Sequence, residues 1–226
     1  MGGKLRFRFS KVGRIKFISH LDLMATMRRA LLRAGVRLEY SEGFNPHPYM
    51  SAALPLSVGQ ESLCELLDVG VSEGLSAEGL PAIITAELPE GLEILEAYAP
   101  GRKFGEIKWV EISGALYYDK EAPPEAAARL SERFGKESII VRKKTKRGLS
   151  DLDIAPFVRD IGFECDGGAD AGYGAVRLGA KISAQNPTVN PELLVSSLEG
   201  EYSGLMPAFS GFTRVEVFDS GMNAFR

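Results

Sequence analysis

Residues 4–9 alternate strictly, with Leu5, Phe7 and Phe9 on one side and Lys4, Arg6 and Arg8 on the other. A period of two predicts a half-buried strand. Residues 10–13 read as a turn or bulge, and 14–18 resume the alternation. Ser19-His-Leu-Asp22 then matches an S-x-x-D helix start with Ser19 as the N-cap. Leu21, Met24, Met27, Leu31 and Ala34 recur every three or four positions, which predicts their apolar stripe, and Gly35 stops the helix. Residues 36–40 are short and strand-like. Residues 41–48 form a loop, because prolines on both sides of His47 continue neither ladder nor helix. Strands are expected at 50–58, 63–71 and 92–97, and a short helix at 76–86.

The strand–helix–strand–strand–helix–strand order is that of a split βαβ unit. A second round follows: a strand at 108–118, a helix at 123–134 and a strand at 138–144. Next come an irregular piece at 151–160, a strand at 174–184, a helix at 190–198 with Asn190 as cap and Pro191 at its first position, and a last strand at 212–219. The fold class expected is therefore α+β, as two tandem ferredoxin-like (βαββαβ) units. Their bounds are 1–99, carrying the SHLD and GFNPHP segments, and 105–219, carrying a basic turn. Residues 220–226 read as a frayed tail and 167–174, rich in glycine, as a mobile loop. A single larger α+β domain is the alternative.

Composition is that of an ordinary globular chain: 226 residues, 45% hydrophobic and 25% charged. No apolar run reaches the roughly 18–20 residues of a membrane span, and the start lacks a signal peptide's apolar block, so the expectation is a cytoplasmic protein. Charge is unevenly spread. Residues 1–50 hold ten Lys/Arg against three Asp/Glu, 51–100 hold nine acids and no base, and 101–150 hold twelve bases against seven acids. Two basic blocks thus flank an acidic one, which permits a local basic face.

Cys64 and Cys165 make neither a disulfide framework nor a CxxC pair, and the two histidines, His20 and His47, add no local metal spacing. Dinucleotide, P-loop, zinc-protease and nucleophile-elbow signatures are absent, so no cofactor and no metal are expected. Three segments remain as candidates. At the SHLD helix start, His20 is a phosphate ligand or acid/base group, or a capped structural residue. In GFNPHP, a loop stiffened by Pro46 and Pro48 presents Phe44, Asn45 and His47. In 142–147, Arg142, Lys143, Lys144, Lys146 and Arg147 suit phosphate contact. Arg8, Lys11, Arg14 and Arg29 extend the basic set. Tyr40, Tyr49, Tyr117 and Tyr118 are bases' stacking partners if exposed and core residues if not.

The run from Arg6 to Val69 resembles the radical SAM-linked proteins, a bacterial domain of unknown function. The likeness is carried by SHLD, Arg33-Ala-Gly35, GFNPHP and the PL-x-VG-x-E-S of residues 55–62; weaker matches lie at 142–148, Asp153-Ile154 with Pro156, and Asn186-Pro187. Leu32 stands where the first arginine of an RRAG-like element is expected. The resemblance implies a radical SAM partner, and gene neighbourhoods hint at RNA. The tandem plan is also similar, at the level of fold, to the RAMP endoribonucleases of CRISPR systems. The chain is not itself a radical SAM enzyme, since CxxxCxxC is absent. The leading expectation is an RNA-binding accessory module acting with a radical SAM protein on structured RNA, tRNA or rRNA, with no DNA and no membrane. Its alternatives are a protein-docking domain without nucleic acid and a metal-independent endoribonuclease using His20 and His47. The balance is against enzymatic activity.

Overall fold

A computed structural model describes residues 3–72, 74–145, 148–170 and 173–226. The fold is mixed α+β and rich in β-sheet. The chain separates into two compact units, residues 1–106 with Arg226 and residues 107–225.

In the first unit β1 (Gly3–Lys11) leads through a tight turn at Gly13–Phe17 into α1 (His20–Arg33). β2 (Met50–Ala52), β3 (Glu61–Val71), α2 (Leu80–Thr85) and β4 (Leu92–Tyr98) follow. The strand order is β4-β1-β3-β2, with every neighbouring pair antiparallel. Leu5, Phe7 and Phe9 are buried against Met27, Leu31 and Ile84 of the helices, as the alternation in β1 requires. Ser19 caps α1: its hydroxyl oxygen accepts the Asp22 N–H at 3.1 Å and its O–H donates to the Asp22 carboxylate at 2.7 Å.

Three expectations for this unit change. The buried face of α1 is Leu23, Met27, Ala30 and Leu31, and Leu21 is 80% exposed. At about 100° per residue Leu21 lies some 200° round the helix from Leu23, so the two cannot share a stripe. Residues 14–18 do not continue the strand, because Gly13 takes a left-handed φ of 69° and sends the chain into the turn. The second strand keeps only Met50–Ala52. Pro55 has no N–H to donate, and Gly59 bends the chain at φ 89°.

The second unit builds its sheet from β5 (Trp109–Tyr118), β8 (Val158–Asp170), β9 (Tyr173–Ser183) and β10 (Phe209–Phe218). Their order is β10-β5-β9-β8, again antiparallel throughout. α3 (Ala126–Phe134) and α4 (Glu192–Ser196) complete it. Asn190 caps α4 one residue out of the expected register, its side-chain oxygen accepting the Glu192 N–H at 3.2 Å. The strand expected at 138–144 is β6 (Ile140–Thr145). Among the described residues it pairs with β7 (Gly148–Asp153) alone, as a hairpin that follows α3 and precedes β8 in the chain. Asp153 closes the hairpin's base, its carboxylate accepting the N–H groups of Ile139 at 2.8 Å and Ala155 at 3.1 Å. These bonds lower the Asp153 pKa. The irregular piece expected at 151–160 is thus the end of β7, a short turn and the start of β8. Most of the expected glycine-rich loop is strand, with Ala171 and Gly172 outside the described residues.

The last residues are not frayed. Phe225 is fully buried and its N–H donates to the Val217 carbonyl at 2.8 Å. Tyr118 is buried too, its hydroxyl donating to the Leu205 carbonyl at 3.0 Å, while Tyr117 stacks on Phe209 with ring centroids 4.5 Å apart. Neither ring is arranged as a free stacking platform.

Two outcomes follow from these contacts. Removing Asp68 strands the buried Arg6 guanidinium that it holds at 2.7 and 3.1 Å. Asp68→Ala is expected to lower stability by about 3–5 kcal/mol in urea unfolding, and a loss under 1 kcal/mol would show the pair to be unimportant. Burial pushes the Tyr118 phenol up to about 12, with Cys165 beside it adding to the shift. The folded state therefore favours the neutral phenol. Its stabilisation is whole below the unfolded value of about 10 and is lost as pH rises toward 12. Unfolding midpoints between pH 9 and 12 should fall more steeply for the native chain than for Tyr118→Phe.

Candidate functional site

The GFNPHP segment is the best-defined candidate, because the chain around it is braced by backbone bonds. Gly35 ends α1 at φ 77°, and Leu38 bridges to Val71. The Glu39 N–H donates to the Gly70 carbonyl (2.9 Å), the Tyr49 N–H to the Glu39 carbonyl (2.9 Å) and the Gly70 N–H to the Tyr49 carbonyl (2.7 Å). Further out, Tyr40 bridges to Pro48 and the Ser41 N–H donates to the His47 carbonyl at 2.8 Å. The Ser41 hydroxyl oxygen accepts the His47 N–H at 3.0 Å. Prolines 46 and 48 and the left-handed Gly43 (φ 113°) set the path of the tip. The result is a tied loop whose tip projects Phe44, fully exposed, with Asn45 and His47 also exposed and Tyr40 and Tyr49 about half exposed at its base.

At the base of this loop lies a cleft of about 440 Å³, lined by Lys4, Glu39, Tyr49, Ser51, Asp68 and Gly70 among others. Its electrostatics come from β1 and β3. Arg6 lies opposite Asp68 in register and is 1% exposed. The guanidinium grips the Asp68 carboxylate with two bonds and donates to the Arg102 carbonyl at 2.8 Å. It also lies 4.3 Å from the centroid of the Phe104 ring. The Lys4 ammonium stands 3.6 Å from the same carboxylate, with its side chain 58% exposed. Among the described residues the Glu39 carboxylate has no hydrogen-bond or ion-pair partner.

The structure separates the two histidines. His20 opens α1 just after the chain leaves β1 at Lys11, at the sheet end where Lys11 faces Ser62. His47 lies beyond the other end, where Gly3 faces Val71. The 14 residues of α1 run between these ends, about 21 Å of helix. They do not assemble a two-imidazole centre.

The basic residues divide in the same way. Lys11 is 1% exposed and donates to the Lys16 carbonyl at 3.1 Å, so it is no surface phosphate ligand. Arg8 is held by Glu96 at 3.1 Å. Arg142 lies 3.6 Å from Asp151, and Lys143 donates to the Thr188 carbonyl at 2.8 Å. Lys146 and Arg147, and the side chain of Lys144, lie outside the described residues. Arg14 and Arg29 are exposed, as are Arg28 and Arg37, which sequence reasoning passed over; none of the four has a carboxylate partner among the described residues. Half of the first basic block pairs with the acidic block. Arg6 and Lys4 meet Asp68, Arg8 meets Glu96, Lys16 meets Glu61 and Arg33 meets Glu87. Glu39 and Ser51 were also unmarked in sequence, because only strand register places them with Tyr49 around one cleft.

Among the described residues no group of three or more His, Cys, Asp or Glu is placed to hold a metal ion, and no helix is long and apolar enough to cross a membrane.

These features belong to a sheet-rich α+β domain with a braced aromatic loop over a charged cleft. The chain is a member of the family described as an uncharacterized protein conserved in bacteria (DUF2344), whose model matches residues 4–191. A local similarity, 32% identity over 109 residues, links it to a glutamyl-tRNA(Gln) amidotransferase subunit of Gluconobacter oxydans; it covers 43% of this chain and 22% of that protein. A crystal structure of an unknown protein from Galdieria sulphuraria aligns over 81% of this chain and 82% of that one, at 15% identity and a TM-score of 0.27.

The placement of the histidines makes a stability cycle informative. His20→Ala and His47→Ala should act independently, their double variant matching the sum of the two within about 0.5 kcal/mol in urea unfolding. A coupling above 1 kcal/mol would place the two side chains in contact.

Proposed function

We propose that this protein is an RNA-binding accessory module of the bacterial cytoplasm, working beside a radical SAM protein that does the chemistry. In this reading both units are variants of the ferredoxin-like plan, the second enlarged by the β6–β7 hairpin. Their 4-1-3-2 strand orders support it.

The observation that carries the reading is the projection of Phe44, fully exposed on a loop tied at its base, beside half-exposed Tyr40 and Tyr49. A large apolar ring held in water at a fixed place suits stacking on an unpaired base. Arg14, Arg28, Arg29 and Arg37, exposed in the same unit and free of carboxylates among the described residues, supply cations for phosphates. The name of the local relative concerns glutamyl-tRNA(Gln), which makes tRNA the first structured RNA to try. A protein contact is favoured by a second feature. Phe17, Leu21 and Val58 are large, apolar and more than half exposed on segments about the start of α1, a surface suited to the radical SAM partner.

Fluorescence anisotropy with labelled single-stranded RNA and tRNA, from 50 to 300 mM salt, tests the RNA reading. Affinity should fall steeply with salt, and Phe44→Ala should weaken single-strand binding about tenfold. Arg28→Ala with Arg29→Ala should flatten the salt slope by about 1.4, the value for two single-strand phosphate contacts. No binding at 50 mM salt, or full binding by Phe44→Ala, would falsify the reading.

A further inference from the structure

The cleft at the base of the aromatic loop holds a carboxylate without a partner among the described residues, and from it the geometry points to a guanine-selective base pocket. In this pocket Glu39 and Lys4 read the edge of an unpaired guanosine while Tyr49 stacks on its ring. The inference rests on the RNA-binding reading and adds the base that the site selects.

Four observations carry it. First, Glu39 lines the cleft, and among the described residues nothing donates to its carboxylate. Asp68, the other acid there, is occupied by both prongs of Arg6 and does not compete for a ligand. Second, Lys4 lines the same cleft with its side chain more than half exposed, 3.6 Å from Asp68, so its ammonium has donors left for an acceptor. Third, Tyr49 forms one wall and is 54% exposed, which leaves ring surface for stacking. Fourth, the floor is Gly70. A Cβ there would stand 3.0 Å from the Tyr49 Cβ, 3.4 Å from the Glu39 Cβ and 3.5 Å from a Glu39 carboxylate oxygen. A side chain at this position would crowd both the tyrosine and the glutamate that line the cleft. At about 440 Å³ the cleft is in the usual range for small-ligand sites.

The donor and acceptor pattern selects among bases. A carboxylate is an acceptor only and is best satisfied by two parallel N–H groups. Guanine presents such a pair, N1–H beside the N2 amino group. Its O6 acceptor follows N1–H on the same edge, where a lysine ammonium can donate to it. Adenine and cytosine offer one amino group next to a bare ring nitrogen, which would face the second carboxylate oxygen with like charge. Uracil offers one N–H between two carbonyls. One acid and one ammonium lining a single cleft therefore match guanine on both halves of its edge.

The test uses the full chain and labelled eight-nucleotide uridine RNAs carrying G, A, C, U or inosine at one central position, read by anisotropy. The G-containing RNA should bind about tenfold tighter than the others, and inosine, which lacks the N2 amino group, should lose most of that gain. Glu39→Gln should bring the ratio of G to A binding close to one. The ratio is insensitive to a fraction of unfolded variant, and the inosine comparison needs no variant. Equal binding of all five RNAs by the native chain overturns the pocket and leaves RNA binding standing. A guanine preference that survives both inosine and Glu39→Gln likewise overturns it. Absence of binding to any RNA overturns both readings.

Discussion

The buried pair of Arg6 and Asp68 is the constraint on which the first unit depends. A guanidinium 1% exposed costs heavily unless it is paired, and here Nε and Nη2 are held by a carboxylate and a backbone carbonyl, with an aromatic ring over the group. The pair also sets register. With Arg6 opposite Asp68, Lys4 falls opposite Gly70 and Phe7 opposite Leu67. A slip of one residue would turn Arg6 toward the helices and Phe7 away from them. The cleft inherits its walls from this alignment: Gly70 as floor, Lys4 at the rim, and Asp68 already neutralised.

The same pairing accounts for the odd distribution of charge along the chain. A block of bases followed by a block of acids looks in one dimension like two opposed surfaces. In the antiparallel sheet the blocks become neighbours: Lys4 and Arg6 meet Asp68 across β1–β3, and Arg8 meets Glu96 across β1–β4. Pairing between strands distant in sequence is set by register, which no local pattern encodes. Block charge therefore overstated the basic surface, and the arginines left over are those on the turn, the helix and the strand-like segment after it.

Local signals were legible where local physics decides. The strand at β1 and the Ser19 cap of α1 are both in the structure, since each depends on a few adjacent residues. But β1 is not half-buried as its alternation predicts, because Arg6 and Lys11 on its polar side are buried as well. The phase of the α1 stripe was misread because Leu21 and Leu23 are equally apolar, and only the sheet beneath distinguishes them. In the second unit the β6–β7 hairpin reads locally like a sheet strand. β8, with Gly162, Gly167 and Gly168, reads like a loop. Hairpin pairing with the next strand, β9, overrides the low strand preference of glycine, with Gly162 opposite Gly179. The tied GFNPHP loop was visible from its prolines, whereas the cleft was not, because its residues come from four separate stretches of chain.

The two cysteines differ in a way that has a practical side. Cys64 is buried in β3 of the first unit, and Cys165 is exposed on β8 of the second. Thiolate chemistry follows access. The native chain therefore offers a single position for a thiol-directed fluorophore or spin label, in the unit that does not hold the aromatic loop. A dye at Cys165 would report on the second unit while the residues that line the cleft keep their native side chains, and no engineered cysteine would be needed.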